Sequence, residues 1–160
     1  MHNHLEIMHI FGYNDFITHN NGCIYERGAC MTRKMAREEA FILIFEKAFN
    51  NNSVEEIFEL AAEVRDLKPD DYINRVFVGV YDYLDELDDI ISEYSVGWKI
   101  NRISKTALSV MRLALYEIKY MDDIPYSVTV NEAVELCKKY ATTEDASFVN
   151  GILSTVLKKL

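Results

Sequence analysis

The order of apolar and polar residues predicts an all-α domain of six to seven short helices. From Thr32 onward apolar side chains recur with the 3.6-residue period of a helix almost throughout. No segment shows convincing strand alternation, and no repeat of fixed length appears. Helix stops recur at short intervals, among them Asn50-Asn51-Asn52, Gly97 and the run Asp122-Asp123-Ile124-Pro125.

The first helix is expected over Arg33 to Phe49, with Ala36, Ala40, Phe41, Ile44 and Ala48 as its stripe. Ser53 caps a second, and Glu56 three positions on completes a capping box. Its inner face reads Ile57, Leu60, Ala61 and Val64. Pro69 opens a third helix where a missing N–H costs nothing, and Asp70 and Asp71 suit the positive end of its dipole. Ile73, Val76, Phe77, Val80, Leu84, Leu87 and Ile91 make this one long stripe, roughly 35 Å at 1.5 Å per residue. Gly97 breaks the pattern beside Trp98. A helix from Ser104 to Met121 follows, apolar on Leu108, Met111, Leu115 and Ile118, with the methionines as core filler. Val130, Ala133, Val134 and Cys137 mark the next, with Cys137 read as a small core residue rather than a nucleophile. Thr142 with Asp145 starts the last, on Val149, Ile152, Val156 and Leu160.

A chain of 160 residues that is 49% apolar can bury a real core, which argues against disorder. Charges interrupt every apolar stripe before the roughly 18 residues a membrane helix needs, so no membrane partner is expected. The three cysteines, Cys23, Cys30 and Cys137, show no paired spacing and point to a reducing, cytoplasmic setting. Residues 1–30 hold all four histidines and show no sustained period. Codons for Glu26-Arg27-Gly28 can spell a purine-rich ribosome-binding site just ahead of Met31. Residues 1–30 are therefore read as a non-native, poorly structured leader or extension, and residues 31–160 as a single domain. N-terminal sequencing of the native protein tests this, and an intact Met1 end at full abundance sinks it.

The net charge of −9 sits unevenly. Ser53 to Glu93 holds 13 acidic and 3 basic residues, a net of −10; the rest holds 13 acidic and 14 basic, a net of +1. An acidic total argues against nucleic acid, but its concentration in one segment leaves room for a basic face elsewhere. Residues 31–160 lack histidine, the commonest general base, and carry only Gly79, Gly97 and Gly151, too few for a phosphate-cradling loop. Asp85, Glu86, Asp88 and Asp89 fall on the outer face of the long helix and read as solvated surface. The inward positions are apolar, where a carboxylate metal site would want acids. No enzyme activity, cofactor or metal is expected.

Two groups of residues suit binding. Arg33, Lys34 and Arg37 lie at the start of the first helix, where basic side chains oppose the dipole at a cost of about 0.3–1 kcal/mol each. Either a ligand keeps them there, or Glu38 and Glu39 neutralise them from neighbouring turns. Tyr140 closes one helix beside Lys138 and Lys139, and Phe148 flanks the stripe of the next. Aromatics on a basic surface offer single-stranded bases a stacking platform; the alternative is ordinary packing between consecutive helices.

Beyond pattern, the wording of the chain resembles the NusB family of transcription antitermination factors over essentially all of Met31 to Leu160. The carriers are Thr32-Arg33-Lys34-Met35-Ala36-Arg37-Glu38, Arg102-Ile103-Ser104 and Met111-Arg112-Leu113-Ala114-Leu115-Tyr116-Glu117-Ile118. The strongest are Ile124-Pro125-Tyr126, Val130-Asn131-Glu132-Ala133-Val134-Glu135-Leu136 and Phe148-Val149-Asn150-Gly151-Ile152-Leu153, in order and at family spacing. The resemblance implies two packed helical bundles, no catalysis, and binding of the boxA element of ribosomal RNA leader transcripts. It implies NusE, a small-subunit ribosomal protein, and the transcription elongation complex as partners, with a homodimer also compatible. RNA-binding roles carry over to Arg33, Lys34, Arg37, Tyr140 and Phe148; Asn150 suits helix packing as well. The basic cluster is thin, with Met35 and Glu39 where a richer arginine run is expected, so RNA affinity without NusE is expected to be weak. The competing expectation is a helical protein-interaction module without RNA binding, using the acidic Ser53–Glu93 segment.

Overall fold

A computed structural model describes residues 31–68 and 70–159; the proposed leader, Pro69 and Leu160 lie outside it. Among the described residues the chain forms seven α-helices and a short 3-10 turn, with no strand. These are α1 (Arg33–Lys47), α2 (Val54–Arg65), α3 (Asp71–Asp82), α4 (Leu84–Tyr94), α5 (Lys105–Tyr120), α6 (Tyr126–Tyr140) and α7 (Thr143–Leu157), the 3-10 turn Ile100–Arg102 preceding α5. α1 packs on α2 and α3; α7 packs on α6 and on α4; α5 touches both sets and is the wall they share. That position explains its composition. From Ala107 to Ile118 every residue but Arg112 is buried, so α5 is apolar nearly all round.

Caps act as the sequence implies. Ser53 and Glu56 form the reciprocal capping box of α2, and Thr142 accepts from the Asp145 N–H at the start of α7. The Asn50 side chain donates to the Glu46 carbonyl and helps close α1. Cys137, Met111 and Met121 are core residues.

α3 starts at Asp71 with Asp70 at its entry, the Asp70 carboxylate accepting from the Ile73 N–H at 3.0 Å, while Pro69, the expected opening residue, lies outside the described residues. Three expectations need correction. The long third helix is two, broken at Tyr83 (φ −110°, ψ 21°). The apolar stripe runs through this junction, so periodicity does not reveal it. The bend instead serves neighbours: Tyr83 stacks on Tyr120 at 4.4 Å, and α4 turns away to pack on α5 and α7. The carboxylates of α4 are not uniformly solvated. Asp88 takes a two-pronged bond from Arg112 at 2.7 and 2.8 Å, and Glu86 accepts from Tyr120 and Lys119, tying α4 to α5. Finally, α2 buries Ile57, Phe58 and Ala61, leaving Leu60 46% and Val64 79% exposed. A helix lying against α1, with Phe58 edge-on to Phe77 of α3, needs only a narrow stripe.

Candidate nucleic-acid interface

The first turn of α1 carries no acidic residue, and Thr32 caps it by accepting from the Met35 N–H at 3.2 Å. Arg33 and Lys34 are exposed there. The Arg33 guanidinium lies over the Tyr72 ring, 4.6 Å from its centroid, a contact that orients the side chain without neutralising it. Neither residue forms an ion pair among the described residues. The expected neutralisers are engaged elsewhere: Glu39 faces Arg65 at 3.9 Å and Glu38 binds Lys139.

Arg37 is not a surface residue, which corrects its place in the basic cluster. It is 2% exposed, and its Nε donates to Glu117 Oε1 at 2.8 Å. Glu117, fully buried, also accepts from the Tyr72 hydroxyl and from Thr129 Oγ1 at 2.6 Å. Glu132 lies 3.8 Å from the other side of the guanidinium. Burial disfavours the Arg37 charge, yet Tyr72, Glu117 and Glu132 outweigh it and hold its pKa above the usual value. This cluster joins α1, α3, α5 and α6, and so fixes where Arg33 and Lys34 stand relative to α6. The buried Arg37 Nη2 has no hydrogen-bond partner among the described residues.

Between α1 and α6 lies a cleft of about 200 Å³ lined by Lys34, Glu38, Glu132, Glu135 and Lys139, with Arg37 at its base. Three cations face three carboxylates, so the cleft is close to neutral. Glu38 is its hub, accepting from both Lys139 Nζ and the Tyr140 hydroxyl. Those hydrogen bonds, Lys139 first, hold the Glu38 carboxyl below the usual range, and the bond to Glu38 in turn raises Lys139. Burial and then Glu38 raise the Tyr140 hydroxyl. The Tyr140 ring packs 5.1 Å from Phe41, has the Lys139 ammonium 5.2 Å from its centroid, and is 39% exposed. Lys34 and Tyr140 thus share one surface, with Lys139, noted from the sequence beside Tyr140 but not assigned to the site, between their elements.

Phe148 stands elsewhere. It is half-buried on α7, and its ring meets Trp98 at 6.1 Å and 61°. Tyr140 and Phe148 therefore contact different elements and do not form one stacked pair. Trp98, 57% exposed, is a residue the sequence reading noted only as a neighbour of Gly97. Its signal was an isolated tryptophan in a stretch without acidic residues. Asn150 is exposed and lines an open groove of about 530 Å³ between α6 and α7, together with Ser127, Asn131 and Ser147. Val130 and Val134, expected to be inner, are half-buried on the wall of that groove.

No cluster of three or more histidine, cysteine or acidic side chains able to hold a metal occurs among the described residues. None of the described helices is long and apolar enough to cross a membrane.

Comparison with known proteins places this arrangement. The NusB family model matches residues 34–158. The transcription antitermination protein NusB of Ruminiclostridium cellulolyticum is 45% identical over 130 residues, covering 80% of this chain and 90% of that protein. Its counterpart in Clostridium botulinum is 40% identical over 134 residues, covering 81% of this chain and all of that one. Among solved structures, NusB of T. maritima superimposes with a TM-score of 0.71 at 34% identity, covering 80% of this chain and 92% of that one. The crystal structure of antitermination factors NusB and NusE in complex with dsRNA gives 0.72 at 26% identity, covering 80% and 97%. The matched span takes in all seven helices but for Arg33 at the start of α1, and the chain belongs to the NusB family.

Proposed function

We propose that this chain is an RNA-binding transcription antitermination factor that joins NusE on the boxA element of ribosomal RNA leader transcripts and delivers the pair to the elongation complex. It acts by binding, not by catalysis. The observation that carries the reading is the likeness to a NusB that is assembled with NusE and dsRNA, over nearly the whole of that chain. The surface chemistry is in keeping with it: Arg33 and Lys34 are exposed at the start of α1 and form no ion pair among the described residues, next to a cleft edged by Lys139 and Tyr140.

The same surface explains why the chain should bind RNA weakly alone. In the cleft three cations are matched in number by three carboxylates, so little net positive charge is available to release counterions from a phosphate backbone. A basic ribosomal protein docked nearby supplies what is lacking. The test is binding of boxA RNA to the full chain, with and without NusE, at two salt concentrations, beside an Arg33→Ala/Lys34→Ala variant. Salt-sensitive binding that NusE strengthens and the variant weakens is expected. Tight binding without NusE overturns the shared-surface reading, and no binding even with NusE leaves only a protein-interaction role.

A further inference from the structure

We infer that Trp98 forms, with Phe148, a second RNA contact: an aromatic ledge on which an unpaired base of single-stranded RNA stacks, flanked by Lys99 and Arg102 for its phosphates. The inference rests on the RNA-binding reading above and extends it from Phe148, already expected to meet RNA, to Trp98, Lys99 and Arg102, which that reading does not use.

Three observations carry it. First, the ring is presented by a fixed turn rather than a loose loop. Gly97 adopts φ +84°, a conformation that favours glycine, so the chain reverses just before the tryptophan. The Trp98 N–H donates to the Ser95 carbonyl at 2.9 Å, and Ser95 Oγ donates back to the Trp98 carbonyl at 3.2 Å. Ser95 itself is buried, which anchors the turn to the core. Secondly, despite that anchoring the indole is more than half exposed, and its contact with Phe148 of α7 is edge-on. Packing alone does not account for a large aromatic held rigidly in water, whereas a stacking partner would cover its open surface. Thirdly, the local charge selects the partner. From Ser95 to Ala107 there is no acidic residue and there are three basic ones. Lys105 is engaged by the Ala48 carbonyl at 3.2 Å, whereas Lys99 and Arg102 are exposed and form no ion pair among the described residues. Free cations beside an open aromatic suit a nucleic-acid strand, in a chain whose total charge is −9.

The experiment is unusually direct because Trp98 is the chain's sole tryptophan. Its fluorescence in the full-length protein is followed while single-stranded boxA RNA is added, and affinity is measured separately by anisotropy of the labelled RNA, with NusE present. Stacking should quench the indole in step with the anisotropy change. Trp98→Ala should weaken binding by about 5- to 150-fold, the range for one stacked base, and Trp98→Phe should restore most of it. Circular dichroism of both variants checks that the fold is kept, as the exposure of Trp98 leads one to expect. If RNA binds with unchanged fluorescence and Trp98→Ala binds as tightly as the parent, this ledge is not a contact and only the α1–α6 surface stands. If no chain binds RNA by anisotropy at low salt, both readings fall together. If NusE alone quenches the indole and RNA adds nothing, the ledge is a protein contact and the inference is overturned.

Discussion

At the scale of single residues, Glu117 is the side chain on which most depends. Its two oxygens receive Arg37, Tyr72 and Thr129 in a site that water does not reach. Removing one member of such a cluster leaves a buried charge uncompensated, so Glu117→Ala should cost about 3–5 kcal/mol in denaturant titration. A loss under 1 kcal/mol would mean that the cluster is not closed to water. Glu38 works differently, at the surface. It occupies the Lys139 ammonium and the Tyr140 hydroxyl, two groups that a phosphate would otherwise engage. Glu38→Gln should therefore tighten RNA binding, and an unchanged affinity at low salt would place the phosphates elsewhere. The same contact has a defined pH window. Glu38 is depressed in the folded state, so its contribution is present above its unfolded pKa and lost as pH falls through the lowered folded value. Lys139 is raised, so its contribution is present below its unfolded pKa and lost as pH rises through the raised folded value. Denaturation midpoints of the parent and Glu38→Gln should accordingly converge on the acid side.

At the scale of elements, the joint between α3 and α5 is close at Gly79. A Cβ built on Gly79 would lie 2.2 Å from the Tyr116 ring, so α3 can lie this close to α5 only because position 79 has no side chain. Gly79→Ala should destabilise by about 1–3 kcal/mol despite the higher helix propensity of alanine. Adding Tyr116→Leu should recover part of the loss, and strict additivity of the two changes would refute this explanation. For α2 the comparison is between faces. Ile57→Ala should cost about 2–5 kcal/mol as a buried truncation, whereas Val64→Glu should stay within about 0.5 kcal/mol. Periodicity alone treats positions 57, 60, 61 and 64 as one stripe, since all fit a helical face. Which part of that face is covered depends on how α2 leans on α1, and that angle is not a property of α2.

At the scale of the molecule, acidic residues gather in α2, α3 and α4, whereas exposed cations without ion pairs among the described residues include those at the start of α1, in the turn before α5 and after α7. Net charge is therefore a poor guide to what this chain binds. Four exposed cations on the two proposed contact surfaces, Arg33, Lys34, Lys99 and Arg102, form no ion pair among the described residues and set the expected salt dependence. With each neutralising one phosphate of a single strand, log K against log salt should have a slope of about −2.8. Lys99→Ala/Arg102→Ala should reduce it by about 1.4 if the aromatic ledge is used, and leave it unchanged if only α1 is.

What the sequence determined by itself is nearly everything that depends on neighbours a few positions away. The helical class, the capping box at Ser53, the Thr142 cap and the core role of Cys137 are all read from short-range pattern, and the family from ordered local motifs. What only the tertiary structure decided depends on partners distant in the chain. Arg37 reads as one more surface cation until Glu117, 80 positions away, is brought within 2.8 Å of it. Trp98 reads as a residue near a helix break until the fold fixes its turn and leaves its ring in the open beside Phe148. The reason is physical: helix formation follows the local chain, whereas the burial of a charge or the exposure of a ring is set by which helices meet.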